Sequence, residues 1–223
     1  MKPLSSSTAD GTTLQDLGKA SIQIVHDLKN QLNGLKLYAT FLRRRIEKSE
    51  RPEDEQQTIT KLIAGLDRAA NDLSTIVQYG REIELKKQAG FDIQKTMRSI
   101  CSQFNDNSTP VLCDADAEPL VGDLDPTQMT DALNWISTVA IKHRQDADNP
   151  GALTVSVKRD TTRQDQARIE WSGMSQIEHD PFKSFAGSDE IRMSLAAKII
   201  EAHGGSARYE NGRIQVTLPL SSS

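Results

Sequence analysis

The sequence predicts an α+β chain, a long helical hairpin followed by an α/β sandwich. Three observations predict it. Apolar residues step by three and four through the first part of the chain, strand-like and helical segments mix through the second, and Gly90 stands where one pattern gives way to the other. From Val25 the first stripe runs through Leu28, Leu32, Leu35, Ala39, Leu42 and Ile46, an a/d heptad pattern that predicts a helix over residues 13–49. A second stripe, Ile59, Ile63, Leu66, Ala70, Leu73 and Val77, predicts a helix over 53–87, with Pro52 suited to its first turn. The connection Ser49-Glu50-Arg51-Pro52 is short, so the two helices pair antiparallel. Two apolar stripes make a thin core, and a homodimer closing a four-helix bundle is the expected solution. The hairpin domain is placed at 13–89, after a Ser/Thr-rich, flexible N-terminus at 1–12.

Residues 90–221 are expected to form the second domain. Phe91–Phe104 reads as a helix, and Pro110–Cys113 and Pro119–Leu124 as short strands. Asp125 with Pro126 behind it opens a helix running to about His143. Leu153–Arg159 and Ala167–Trp171 alternate as strands do, and Ser188–Ala202 is helical up to Gly204-Gly205. Ser206–Glu210 and Arg213–Leu218 form a hairpin over Asn211-Gly212, a strong turn signal. Such a mixture predicts helices on one face of a mixed sheet.

Composition narrows the function classes. With 223 residues the chain holds two small domains, and a formal net charge of -4 gives no electrostatic case for nucleic acid or an anionic membrane. No apolar run reaches membrane length. Cys101 and Cys113 lack metal-ligand spacing and read as reduced thiols of a cytoplasmic protein. His143 and His179 have no ligand-spaced partner, so no metal site is expected, and His203 before Gly204-Gly205 is expected to cap a helix. Arg43-Arg44-Arg45 reads as the outer face of a helix near its C-terminus, where cations suit the dipole.

The run His26-Asp27-Leu28-Lys29-Asn30-Gln31-Leu32 carries the chemistry. His26 lies one residue past a seam position, on the exposed shoulder of the first helix. Neutral imidazole is a competent nucleophile near pH 7, its unperturbed pKa being about 6.5. Asp27 can orient it or accept its proton, and Lys29 can neutralise phosphate oxygens. That combination suits a carrier of a transferable phosphoryl group.

From about Leu14 to Leu220 the chain resembles the catalytic core of a two-component histidine kinase. Such a core joins a dimerisation and histidine-phosphotransfer hairpin to an ATP-binding domain of the GHKL (Bergerat) type. His26-Asp27-Leu28-Lys29-Asn30 is similar to the phospho-acceptor box. The resemblance implies that His26 is phosphorylated, that Asp27 accepts its proton, and that Asn30 holds the position orienting a hydrolytic water in phosphatase-active members. Ile199-Ile200-Glu201-Ala202-His203-Gly204-Gly205 and Val216-Thr217-Leu218-Pro219-Leu220 resemble the end of the ATP-binding domain, and Phe182-Lys183-Ser184-Phe185 its paired-phenylalanine box.

Against that family the nucleotide site departs in four places. Ala140-Ile141-Lys142-His143 is in place, but Val139 stands where the magnesium-holding asparagine belongs, and Trp135 replaces another asparagine a turn earlier. Valine offers no oxygen to a hard cation. In Trp171-Ser172-Gly173-Met174-Ser175 an indole replaces the adenine-recognising aspartate of Asp-x-Gly-x-Gly. The second glycine box has become Ser188, Glu190 and Arg192, and only Ala186 and Gly187 remain of the lid. A glutamate where backbone should approach phosphate adds like charge. The expectation is a histidine phosphotransferase without ATP, dimeric, exchanging phosphate with response-regulator receiver domains that supply the magnesium and dock around Leu28, Asn30, Gln31 and Leu35. The alternatives are a divergent active kinase and a non-catalytic pseudokinase scaffold.

Overall fold

The computed structural model describes residues 25, 28–44, 46, 53–104, 111–116, 118–144, 153–185 and 187–221. His26, Asp27 and the expected helical residues 13–24 lie outside this set. The chain divides into two compact units, Met1–Glu82 and Ile83–Ser223.

The first unit contains α1 (residues 28–44, with Val25 and Ile46 also helical) and α2 (Glu53–Gly80). Helix α2 stops at Gly80 instead of continuing to Lys87; glycine in a helix costs roughly 1 kcal/mol relative to alanine, and Arg81 N–H turns back to the Gln78 carbonyl. Lys36 and Asp67, at similar distances either side of Pro52, pair at 2.5 Å, as an antiparallel hairpin requires. The heptad seam is split between two environments. Its a positions Val25, Leu32, Ala39 and Ile46 are buried or half-buried, whereas the d positions Leu28, Leu35 and Leu42 are 44%, 54% and 53% exposed. Tyr38, Phe41 and, from α2, Leu62 are exposed too.

The second unit runs β1 (Gln88–Asp92), α3 (Ile93–Phe104), β2 (Val111–Ala115), β3 (Val121–Leu124), α4 (Pro126–Lys142), β4 (Leu153–Arg159), β5 (Gln166–Ser172), α5 (Ser188–Ala202), β6 (Ser206–Glu210) and β7 (Arg213–Pro219). Strands β1 and β3 pair antiparallel; the other five form one sheet in the order β2-β4-β5-β7-β6, with β2 and β4 parallel and the rest antiparallel. Alternation sets its two faces. Val155, Val157, Ile169, Trp171, Ile214, Val216 and Leu218 are buried, together with Met97, Leu133, Ile136, Leu195 and Ile199 of the helices. Lys158, Arg168, Glu170, Arg208, Gln215 and Thr217 alternate with them on the other face.

The turns follow the side chains that make them. Asn211 (φ 52°) and Gly212 (φ 72°) take the left-handed conformations of a two-residue hairpin turn. Gly205 is required by contact: a Cβ there would lie 2.2 Å from the Thr217 carbonyl oxygen. Phe91 and Asp92, expected at the start of a helix, instead end β1. Asp92 Oδ1 accepts from Lys95 N–H at 2.8 Å, capping α3 one residue later, and Gly90 (φ 83°) absorbs an irregular register against β3.

Candidate functional site

On the hairpin, the residues that follow His26 and Asp27 are arranged as an amphipathic surface. Leu28, Asn30, Gln31 and Leu35 are exposed and Lys29 is half-buried. The apolar residues continue along the same face through Tyr38 and Leu42 in steps of three and four, so one exposed stripe runs from Leu28 along the helix to Leu42.

In the second unit, one densely hydrogen-bonded polar group is a structural one. Asp125, buried, caps α4: its Oδ1 accepts from Thr127 and Gln128 N–H at 3.1 Å, and its Oδ2 from Lys86 N–H at 2.8 Å and Gln128 Nε2 at 3.2 Å. Burial works against this carboxylate, but the hydrogen bonds from Gln128, Lys86 and Thr127 outweigh it and hold its pKa below the usual value. The Asp125 N–H donates to His203 Nε2 at 2.9 Å, and His203 Nδ1 lies 2.8 Å from the Ile199 carbonyl. His203 is therefore neutral with its proton on Nδ1, and burial, reinforced by Lys87, keeps its pKa below that of free imidazole. It caps α5 as expected and in addition fastens that end to the start of α4.

Around the positions that the kinase resemblance would give to a nucleotide, the side chains are already engaged. Trp171 is fully buried, and its indole N–H donates to Ser137 Oγ of α4 at 3.1 Å. Trp135 is half-buried on α4 and Val139 is buried. At the N-terminus of α5, a Cβ on Gly187 would meet Glu190 Oε2 at 2.8 Å, so this carboxylate folds back over the helix end. Helix N-termini stabilise anions through their first N–H groups and the helix dipole. Asp189, in the same turn, pairs with Lys142 of the Ala-Ile-Lys-His run and lies 3.9 Å from Arg192. Ser188 begins the helix.

A hollow of about 330 Å³ remains beside them, bounded by Val139, His143, Ile177, Glu178, His179, Asp189, Glu190 and Met193 among others. Its volume is near the low end for ligand pockets, roughly 300–1,000 Å³. Its charged rim is acidic, the opposite of what a triphosphate needs. Among the described residues, no group of three or more His, Cys, Asp or Glu converges as a metal site would. The paired-phenylalanine segment is held from below: Ser194 Oγ reaches the Phe182 and Ser184 carbonyls at 3.0 Å, with Phe182 buried and Phe185 exposed.

Cys101 of α3 and Cys113 of β2 are neighbouring free thiols, a proximity that their separation in the sequence does not announce. Burial, together with the neighbouring Cys113, pushes the Cys101 thiol up to about 12.

The fold has solved counterparts. Full-length ShkA in complex with AMPPNP superposes with a TM-score of 0.68 at 14% identity, over 90% of this chain and 45% of that one. The histidine kinase AdeS of Acinetobacter baumannii gives 0.56 at 18% identity, over 88% and 98%. The catalytic domain of histidine kinase ThkA gives 0.50 at 18%, over 62% and 97%. The chain thus spans less than half of full-length ShkA. No protein-family model matches the chain, and no curated protein matches it by sequence. At these identities the likeness is one of fold: the chain carries the histidine-kinase-like GHKL fold expected from its motifs. No described helix is long and apolar enough to cross a membrane.

Proposed function

We propose that the chain is a dimeric histidine phosphotransferase of a two-component phosphorelay, exchanging a phosphoryl group between His26 and receiver-domain aspartates without binding ATP. The observation that carries this reading is the Glu190 carboxylate at the N-terminus of α5, on the helix end where phosphate would be received. The buried Trp171 at the adenine-recognising position and Val139 at the magnesium-binding one support it. The residues present do not fit a magnesium nucleotide, so no step is assigned to one.

Phosphoryl transfer needs less of this chain. An imidazole nitrogen of His26 attacks phosphorus in line, the acyl-phosphate P–O bond breaks, and the receiver's aspartate leaves as a carboxylate. Asp27 takes the imidazole proton, and Lys29 shares the phosphate charge. Positioning and charge neutralisation supply most of the acceleration in such transfers, and the receiver's own magnesium site contributes its part. The exposed face Leu28, Asn30, Gln31 and Leu35 is where the receiver docks in this reading, and the bare stripe through Tyr38 and Leu42 is where two hairpins close a four-helix bundle. The retained hollow of about 330 Å³ is the one feature that favours a divergent kinase instead.

The test is transfer from a receiver domain carrying labelled phospho-aspartate. The wild-type chain takes up label and His26→Ala takes up none, while both bind the receiver with similar affinity. Label persisting on His26→Ala would remove the proposal, and equal receiver binding with no label on either protein would leave a scaffold.

A further inference from the structure

On the solvent face of the five-stranded sheet lies a groove of about 380 Å³, bounded in part by Arg163, Arg168, Arg208, Ser206, Gln215 and Thr217. We infer that this groove binds an extended, carboxylate-rich segment of a partner protein.

Its three arginines differ in what holds them. Arg168 is fixed by Asp160, a buried carboxylate whose Oδ2 accepts from Nε and Nη2 at 2.9 Å. Asp160 Oδ1 accepts from Thr162 N–H at 2.7 Å and Arg163 N–H at 2.9 Å, so its oxygens are already engaged by the protein. Arg163 and Arg208 are exposed, and neither guanidinium has a hydrogen bond or ion pair among the described residues. The neighbouring Glu170 is held by Arg213 at 3.1 Å and Gln215 at 3.0 Å. Two uncompensated guanidiniums and a third that is pre-oriented therefore stand together on a chain whose net charge is -4. A fixed guanidinium loses less freedom on binding a carboxylate than a mobile one.

Spacing argues for a segment over a compact anion. Arg168 is on β5 and Arg208 on β6, with β7 between them, and strands about 4.8 Å apart put these backbones about 10 Å from each other. Arg163, from the turn before β5, extends the positive edge further. Carboxylates on successive turns or alternate residues of an acidic segment can meet arginines rooted on two strands and a turn one by one, where a compact anion would need all three to converge on it. Ser206 and Thr217 hydroxyls, 2.9 Å apart, and the Gln166 side chain line the same groove as neutral partners.

The experiment is fluorescence anisotropy on the full chain with a fluorescein-labelled octaglutamate peptide, an octaglutamine peptide as its neutral control, and inorganic phosphate and pyrophosphate as competitors. Octaglutamate binds, octaglutamine does not, and affinity falls as salt is raised because the contacts are exposed charges. The Arg163→Glu/Arg208→Glu double variant loses about tenfold or more in affinity, since both are rim charges. Its thermal unfolding is unchanged. The Arg163→Gln/Arg208→Gln variant, which removes charge without adding repulsion, gives a smaller loss in the same direction. Octaglutamate bound equally by wild type and both variants would overturn the inference. So would displacement of the peptide by pyrophosphate at lower concentrations than the peptide itself requires, which would make the groove a compact phosphate site.

Discussion

The hairpin leaves its large apolar residues in the open, and the α/β unit hides nearly all of its own. Leu28, Leu35, Tyr38, Phe41 and Leu42 are all exposed on α1, whereas Trp171, the largest fully buried side chain of the second unit, has no exposed surface. The difference is instructive because the kinase fold would ask the reverse of the second unit: a nucleotide domain keeps space and polar contacts available at its ligand site. Here the position that the kinase resemblance gives to an adenine-recognising carboxylate, Trp171, is core, and the N-terminal end of α5 holds a glutamate of the same helix. Under the proposed function, reactivity belongs to the hairpin, and the second unit contributes packing and its outer surface.

The contrast can be broken most severely inside the second unit. Trp171→Ala removes a buried indole and leaves Ser137 without its donor, and should cost about 3–5 kcal/mol in denaturant unfolding of that unit. A cost below about 1 kcal/mol would mean that Trp171 packs loosely and that its surroundings are open rather than sealed. On the hairpin, Leu42→Glu places a charge in the stripe proposed to close the dimer. Sedimentation equilibrium should show the wild type as a dimer and the variant shifted to monomer at micromolar concentration, each leucine contributing roughly 2 kcal/mol of burial. A variant as dimeric as the wild type would place the interface elsewhere.

Acid offers a smaller and more selective test. The pKa of His203 is depressed in the folded chain, so between that value and the unfolded one, about 6.5, the unfolded state binds more protons. Stability is full above about pH 6.5 and falls as pH drops below it. Asp125 adds a second loss below about pH 3.9, since its folded pKa is also depressed. His203→Gln should flatten the first of these two windows and leave the second. An unchanged pH profile in the variant would remove His203 as its source. The smallest effect is expected at the exposed Lys36–Asp67 pair, where Lys36→Ala should change hairpin stability by under about 1 kcal/mol.

Much of this was legible in local sequence, and what was not depended on distant partners. Asp125-Pro126, Asn211-Gly212 and the Gly204-Gly205 stop each act within a few residues, and the helix start, hairpin turn and helix end fall where those residues put them. The heptad stripe placed α1 but did not reveal its division, because a and d positions separate only when the neighbouring helix is seen to cover one row. Strand β1 was missed because Gln88–Asp92 has no alternation of its own and pairs with β3 across the intervening α3. Gly80 was a readable stop for α2 that the continuing charged residues concealed. The Cys101–Cys113 contact and the Asp125–His203 bond join elements that no local pattern connects. For the candidate site, the substituted nucleotide positions were visible as residue types. That Glu190 folds over Gly187 and that Trp171 is sealed beneath α4 required the packing.

The most direct test of the central claim is a pair of incubations of the purified chain, one with labelled ATP and magnesium and one with a labelled phospho-receiver. The account predicts label from the receiver alone, carried on His26. Label transferred directly from ATP would contradict it and make the chain a kinase.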